Sequence, residues 1–242
     1  MRGSSFIVHC DAARVPLRGV GAPPTMERVT SPDNDSQHAP SRPEPSRWQR
    51  IIDADPEHTQ RYIERFRVMA AQGNDLHGEA RMIDAMVPRN AHILDAGCGP
   101  GRVAGRLHEL GHRVVGVDVD PGLIEAAELD HPGPRYLTGD LAELDLPSRG
   151  ISDPFDAIVC AGNVMGFLAE STRIDVLRRL GRHLADEGRL AIGFGAGRGY
   201  AFDEFMSDAT EAGLVLDLAL STWDLRPWTE KDGFLVALFR KG

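Results

Sequence analysis

The stretch "HILDAGCGPGR", residues 92–102, decides how this sequence folds. It starts as a short apolar run, typical of a buried strand, and continues into Gly97, Gly99 and Gly101, which fill a tight turn. Glycine adopts positive φ and lets a ligand touch the backbone. A helix beginning near Gly101 would direct free N–H groups and a partial positive charge at that ligand. The segment predicts a strand, a glycine turn and a helix, with a ligand site at the carboxyl end of the strand.

This turn alone does not identify the ligand. The dinucleotide fingerprint G-x-G-x-x-G has a third glycine at the position that Arg102 occupies in this sequence. An NAD(P)-dependent oxidoreductase is therefore an alternative that Arg102 disfavours. Glycine-rich turns also occur in sheets that bind nothing there, so the neighbouring segments have to be considered together with this one.

Further β-branched-rich runs follow the turn and alternate with helical periodicity. The runs are "RVVGVDV", "FDAIVCAG" and "RLAIGFG", and helices are predicted at 101–110, 121–129 and 171–184. Thr172 and Asp175 have the spacing of a capping box at the start of the last helix. Apolar strands alternating with helices predict a parallel sheet covered on both faces. "LVLDLALSTW" and "FLVALFR" have no convincing helix between them and are expected to form an antiparallel pair at one edge.

The sequence before the turn divides into two parts. Residues 1–50 contain seven of the 16 prolines and too little apolar surface to offset the entropy of ordering, so a disordered tail is predicted there. Met26 is an alternative start. Helical periodicity then indicates two helices within residues 57–87, with Pro88 ending the second. The folded domain is expected to span residues 51–242.

Polar residues follow the predicted strands at one edge of the sheet. Asp118 ends its strand about 20 residues after the first glycine, where an acid can accept both hydroxyls of a ribose. Asp120, just before Pro121, fits a helix N-cap better. Asp140 ends a third strand, near the expected place of an adenine, and Asn163 follows a fourth, where it can hydrogen-bond a ligand.

The segments "LDAGCGPGR", "VVGVDVD", "TGDL" and "FDAIVCAGNVMGFL", in this order and spacing, resemble the class I S-adenosylmethionine-dependent methyltransferases. The likeness covers roughly residues 57–242. It implies an α/β fold with a doubly wound, mostly parallel, seven-stranded Rossmann-like sheet in residues 91–242. The last strand would be antiparallel, and residues 57–87 would form an N-terminal helical cap of the kind that small-molecule members have.

The resemblance also implies S-adenosylmethionine as the cofactor and a binding role for residues at the ends of strands. Those facing the methionine part would be Asp95, Gly97, Cys98 and Gly99. Those at the ribose and adenine would be Asp118, Val119, Asp140 and Leu141. Those beside the sulfonium and the acceptor would be Ala161 and Asn163. The D/N/S-P-P-Y/F/W motif of amino-group DNA methyltransferases is missing at 161–166, which favours a small-molecule acceptor over nucleic acid.

No catalytic base is assigned by these patterns. Tyr62, His77 and Arg81 are candidates for lining the pocket, and Tyr62, His77 and His58 are candidates for a base. For Tyr62, His77 and Arg81, an exposed helix face is the slightly favoured alternative. A non-catalytic S-adenosylmethionine-binding regulatory module therefore remains a second alternative to an enzyme.

The stretch "HELGH", residues 108–112, matches the H-E-x-x-H pattern of zinc hydrolases. In those enzymes both histidines lie on one helix face. Here Gly111 suits the left-handed end of a helix, and His112 opens the next strand, so the two side chains are expected to diverge. The three cysteines form no C-x-x-C pair, and no metal site is predicted.

Composition narrows the class of protein further. The net charge of −9 disfavours nucleic acid as a partner, because phosphate binding requires clustered cations. No apolar run approaches the ~20 residues of a membrane helix, and the N-terminus has no signal-peptide core. A cytoplasmic protein is expected; its oligomeric state is not indicated.

Overall fold

Seven strands form one sheet in the computed structural model, which describes residues 42–242. The strands are β1 His92–Ala96, β2 Arg113–Asp118, β3 Arg135–Thr138, β4 Phe155–Cys160, β5 Leu184–Gly195, β6 Leu214–Leu220 and β7 Phe234–Lys241. Their order in the sheet is β3-β2-β1-β4-β5-β7-β6. The pairs from β3 to β5 are parallel, and β7 runs antiparallel to both β5 and β6. The predicted mostly parallel, seven-stranded Rossmann-like sheet with an antiparallel last strand is confirmed.

Seven α-helices accompany the strands in the described part of the chain. They are α1 Arg47–Ala54, α2 His58–Ala71, α3 Gly78–Met86, α4 Arg102–Glu109, α5 Pro121–Asp130, α6 Arg173–His183 and α7 Phe202–Glu211. The helices predicted at 101–110, 121–129 and 171–184 correspond to α4, α5 and α6. Helix α7 was not predicted; it buries Phe205 and Ala209 against the sheet.

Both faces of the sheet are covered, which explains the near-continuous apolar strands. In β1, Leu94 belongs to the cluster on the face of α6 and α7, whereas Ile93 belongs to the cluster on the face of α3 and α4. Both side chains are fully buried. Such two-sided burial fixes the position of β1 and hence of the glycine turn that follows it.

The start of α6 differs from the prediction. Thr172 has a helical backbone and its hydroxyl donates to the carbonyl oxygen of Ala169 (2.9 Å), so it does not cap the helix. Asp175 is exposed and lies 3.3 Å from Arg178. The capping-box expectation is therefore wrong, because a 3-10 turn at Glu170–Thr172 leads directly into the helix.

Ordered structure begins before the boundary expected at residue 50. Ser46 caps α1 through a capping box: its Oγ accepts from the Gln49 N–H (3.1 Å), and the Gln49 side chain accepts from the Ser46 N–H (2.7 Å). Trp48 in this helix is buried. The last residues of the predicted tail are therefore helical, while residues 1–41 lie outside the described residues.

The two helices expected within residues 57–87 are α2 and α3.

No helix between residues 42 and 242 has the length and apolar character that a membrane crossing requires.

Candidate functional site

The glycine turn after β1 has the backbone conformation expected from its sequence. The φ angles of Gly97, Gly99 and Gly101 are 80°, 54° and 84°. A Cβ on Gly97 would lie 2.3 Å from Cγ2 of Val164, so this position lacks room for a side chain as well. The Gly97 N–H donates to the carbonyl oxygen of Val117 (2.8 Å), which fastens the turn to β2.

A cavity opens above this turn at the carboxyl ends of the strands. Nine of the ten predicted site residues line it: Asp95, Gly97, Cys98, Gly99, Asp118, Val119, Asp140, Leu141 and Ala161. They come from β1, β2, the segment after β3 and the end of β4. Parallel strands bring these separate segments together because their carboxyl ends meet at one edge.

Asp118 is fixed to the glycine turn. Its Oδ2 accepts from the Gly99 N–H (2.9 Å), and its Oδ1 accepts from the Asp120 N–H (3.0 Å). Burial raises the pKa of this carboxyl to about 6, although the two backbone donors oppose the shift. Each oxygen retains a lone pair, so the group can accept two further hydrogen bonds from hydroxyls of a ligand.

Asp95 is a second carboxyl group in the same cavity. Its Oδ2 accepts from the Ala104 N–H (3.0 Å) in the first turn of α4. Burial raises its pKa to about 7, and the nearby Asp118 charge adds to the shift. Two buried acids at one cavity favour a ligand that brings hydroxyl or cationic donors to them.

Asp140 and Leu141 lie on the far wall. Asp140 Oδ1 accepts from the Ala142 N–H (2.9 Å) and caps the 3-10 helix Leu141–Glu143. Its other oxygen makes no hydrogen bond within the described residues. Leu141 and Val119 give this end of the cavity apolar surfaces, which suits a flat ring with a polar edge.

Asn163 does not line the cavity, contrary to the expectation from its place after β4. Its backbone is left-handed (φ 67°), and its Oδ1 accepts from the Gly195 N–H in β5 (2.8 Å). The side chain therefore joins the ends of β4 and β5. Ala161 and Gly162 face the cavity at this point.

Helices α1 and α2, residues 47–71, contribute the opposite wall, and we call them the lid. Trp48, Tyr62 and Phe66 line the cavity from the lid, together with Phe167 from the segment after β4. The Trp48 ring meets those of Tyr62 and Phe167 edge-on, at centroid distances of 5.1 and 5.4 Å. Sequence reasoning missed Trp48 because it assigned that residue to the tail. The Ser-x-x-Gln spacing of the α1 capping box was the available signal.

The other candidates from residues 57–87 differ in position from Tyr62. Arg81 pairs with Asp75 on the surface (2.7 Å), and His77 is the residue before α3. His58 packs against the Trp48 ring (5.1 Å). None of these three lines the cavity, so Tyr62 is the one base candidate that reaches it among the four residues considered.

Arg102 replaces the third glycine of the dinucleotide fingerprint and has a structural partner. Its guanidinium donates to the Glu79 carboxylate and to the carbonyl oxygen of Leu76 (2.8 Å each). It also lies 5.6 Å from the centre of the Phe66 ring. This side chain ties the start of α4 to α3 and forms part of the cavity wall.

The two histidines of "HELGH" do not lie on one helix, as expected from Gly111. Helix α4 ends at Glu109, and Gly111 has a φ of 91°. His112 is buried, where its Nδ1 accepts from the Ala91 N–H (3.2 Å) and its Nε2–H donates to Asp84 (2.9 Å). In residues 42–242, no group of three or more His, Cys, Asp or Glu side chains is placed to hold a metal.

Comparison with known proteins adds to this geometry. A family model described as a methyltransferase domain matches residues 93–188. The crystal structure of a TehB-like SAM-dependent methyltransferase from Corynebacterium glutamicum is 50% identical in sequence, with a TM-score of 0.73. That match covers 78% of this chain and 100% of the other.

Two matches of lower sequence identity are also named as methyltransferases. An uncharacterised methyltransferase from Mycobacterium tuberculosis is 35% identical over 121 residues, which are 49% of this chain and 57% of that protein. This chain therefore spans little more than half the length of that curated relative. A glycopeptide N-methyltransferase crystallised with S-adenosylmethionine is 12% identical, with a TM-score of 0.56, and shares the fold.

Proposed function

We propose that this chain, which belongs to the S-adenosylmethionine-dependent methyltransferase family, transfers a methyl group from S-adenosylmethionine to a small-molecule acceptor. One observation carries the proposal. The Asp118 carboxylate lies in a cavity at the ends of the strands, fastened to the glycine turn by the Gly99 N–H and flanked by the apolar side chains of Val119 and Leu141.

The residues of the cavity fit this cofactor. Asp118 has lone pairs for the two ribose hydroxyls, and Val119 and Leu141 offer surfaces for the adenine ring. The second carboxyl oxygen of Asp140, which accepts no hydrogen bond from residues 42–242, is available for the polar edge of that ring. Asp95 can balance the ammonium of the methionine part, and Gly97 beside it has no side chain to block the approach. Aromatic walls favour a positively charged ligand because their faces are electron-rich.

S-adenosylmethionine supplies a methyl group on a positively charged sulfur that departs as a neutral thioether, so displacement by the acceptor needs little covalent help from the protein. Holding the reactants in line can contribute ~7–11 kcal/mol. Trp48, Tyr62 and Phe167 would contribute by excluding water from the cavity. We assign no catalytic base.

A small-molecule acceptor is supported by the position of the lid. Helices α1 and α2 cover the cavity, so a bulky polymer would meet the lid before the cofactor. Aromatic and aliphatic side chains from the lid and from Val164–Phe167 suit an acceptor with an apolar part. The net charge of −9 further disfavours a polyanion.

Calorimetric titration of the purified protein with S-adenosylmethionine and with NAD tests the cofactor. We expect S-adenosylmethionine to bind and NAD not to bind; the reverse result would refute the proposal. Formation of S-adenosylhomocysteine on a panel of thiol, amine, hydroxyl and carboxylate acceptors then tests catalysis. Cofactor binding without turnover on any acceptor would favour a regulatory binding module instead.

A further inference from the structure

Asp120 makes more hydrogen bonds than a helix cap requires. Its Oδ1 accepts from the Gly122 N–H (2.9 Å) and thereby caps α5. Its Oδ2 accepts from Trp48 Nε1 (3.0 Å) and from the Thr59 hydroxyl. Trp48 belongs to α1 and Thr59 to α2, so one carboxylate, only 3% exposed, binds both lid helices.

Besides Asp120, the lid is attached to the body by a small apolar cluster and by polar contacts, among them the ion pair of Arg67 in α2 with Asp130 in α5 (2.8 Å). Trp48 and Ile63 form a small buried cluster with Leu123 and Ala126 of α5, separate from the two large clusters of the sheet. The start of α1 is also held by Arg47, which donates to the carbonyl oxygen of Arg198 (2.8 Å). A small cluster opens at lower free energy than a large core, so the lid is suited to local opening.

The lid contact adjoins the ribose site. Asp118, which we assign to the ribose, accepts from the backbone N–H of Asp120 (3.0 Å). The side chain of Asp120 then holds Trp48, which forms a wall of the same cavity. The carboxylate assigned to the ribose is therefore hydrogen-bonded to the residue that holds the lid.

We infer that Asp120 is a positioning residue that keeps the lid closed over the cofactor by holding Trp48 and Thr59. This inference rests on the proposed function. Release of the cofactor requires the lid to move, and that movement breaks both hydrogen bonds to Asp120. The carboxylate thereby sets how long S-adenosylmethionine remains bound, although Asp120 itself acts only through the lid.

The test compares Asp120→Asn, Trp48→Phe and the double variant. Asparagine is as good a helix cap as aspartate, but its single amide oxygen cannot accept from both the Gly122 N–H and the Trp48 indole N–H, which bind different oxygens of Asp120. Thr59→Val is a further variant that removes the hydroxyl with little change of shape. Loss of a hydrogen bond to a charged group should raise the dissociation rate of S-adenosylmethionine roughly 10- to 100-fold in stopped-flow experiments.

Coupling between the variants separates positioning from general destabilisation. If Asp120 acts through Trp48, the double variant should release the cofactor no faster than the faster single variant. Multiplication of the two single effects, or an unchanged rate in Asp120→Asn, would overturn the inference.

Hydrogen exchange of the unliganded protein provides a readout that does not depend on the cofactor. Asp120→Asn should exchange faster in residues 47–71 while residues 121–130, which report the cap, remain protected. Faster exchange confined to 121–130 would make Asp120 merely a cap and overturn the inference. If the parent binds no S-adenosylmethionine, the proposed function fails, and this exchange pattern still decides whether Asp120 holds the lid.

Discussion

Asp118 is the residue on which the cofactor assignment depends most. A charged hydrogen bond contributes roughly 1.5–3 kcal/mol, and Asp118→Ala removes up to two of them from the ribose. We expect a loss of about 2–5 kcal/mol in S-adenosylmethionine binding, or about 30- to 5000-fold in Kd by calorimetry. A folded variant that binds as tightly as the parent would refute the ribose assignment.

The choice of control matters for this measurement. On sequence grounds Asp120→Ala would lose a helix cap and little affinity, but the structure shows that Asp120 also binds the lid. Asp156→Asn is a better control, because Asp156 accepts a backbone hydrogen bond from His92 (2.7 Å) at the opposite end of the sheet. It should leave cofactor affinity unchanged.

Titration of the two buried acids should affect binding and stability in opposite directions. Burial raises the pKa of Asp118 to about 6 and that of Asp95 to about 7, from a usual 3.8. Below pH 6, Asp118 takes up a proton and becomes a poorer acceptor for the ribose hydroxyls. We therefore expect the affinity for S-adenosylmethionine to fall between pH 7 and pH 5, as measured by calorimetry.

The free energy of unfolding should change in the other direction for these groups. Because the folded pKa exceeds the unfolded one, the unfolded chain releases protons between pH 3.8 and 7 that the folded protein keeps. Their contribution to stability therefore falls as the pH rises through this window. The Tm of Asp95→Asn relative to the parent should rise from pH 5 to pH 8; a constant difference would contradict the raised pKa.

At the scale of elements, the turn after β1 depends on Gly97. Alanine at a φ of 80° costs about 1–2 kcal/mol, and its Cβ would overlap Val164. With the overlap included, Gly97→Ala should lose about 2–5 kcal/mol of stability in denaturant unfolding, together with cofactor binding. Adding Val164→Ala should recover part of the stability, because it removes the overlap. An unchanged Tm for Gly97→Ala would show that the turn can shift.

An element could be predicted where the local sequence pattern determines its secondary structure. It was missed where tertiary contacts determine it. Strand β1 and helix α4 could be predicted because a local apolar run and the glycines after it determine where the strand ends and the helix begins. The first four residues of α1, including Trp48, were assigned to the tail because nearby prolines dominate the composition there. Trp48 is instead held by Asp120, a residue distant in the sequence. Helix α7 has only Phe205 and Ala209 buried at helical spacing, and this signal is too short to recognise.

The candidate site divides in the same way. The position of Asp118 at the cavity could be predicted because the distance from a glycine turn to the next strand end is fixed by the fold. Asn163 was misplaced because its left-handed backbone, which sequence does not reveal, directs its side chain to Gly195. The place of Asn163 after a strand predicted only the edge of the sheet at which it lies.

At the scale of the whole molecule, the lid and the segment before it can be separated experimentally. Removing residues 1–41, which lie outside the described residues and are proline-rich, should leave S-adenosylmethionine affinity and Tm unchanged. Removing residues 1–54 also deletes α1, including Trp48, and should raise the Kd at least about 10-fold because a cavity wall and its bond to Asp120 are lost. Equal affinities of the two truncated proteins would show that α1 does not cover the cofactor.

The position of β7 has a consequence for biosynthesis. Strand β7 leaves the ribosome after β6 but belongs between β5 and β6, so a nascent chain that ends at Leu220 has no partner for β6. Val215, Leu216 and Leu218 of β6 are partly exposed even in the finished fold. An unpaired apolar strand is a template for pairing with other chains. At usual rates of translation, residues 221–241 take about 1–4 s to appear. We expect this interval to be when newly made protein is most vulnerable to aggregation.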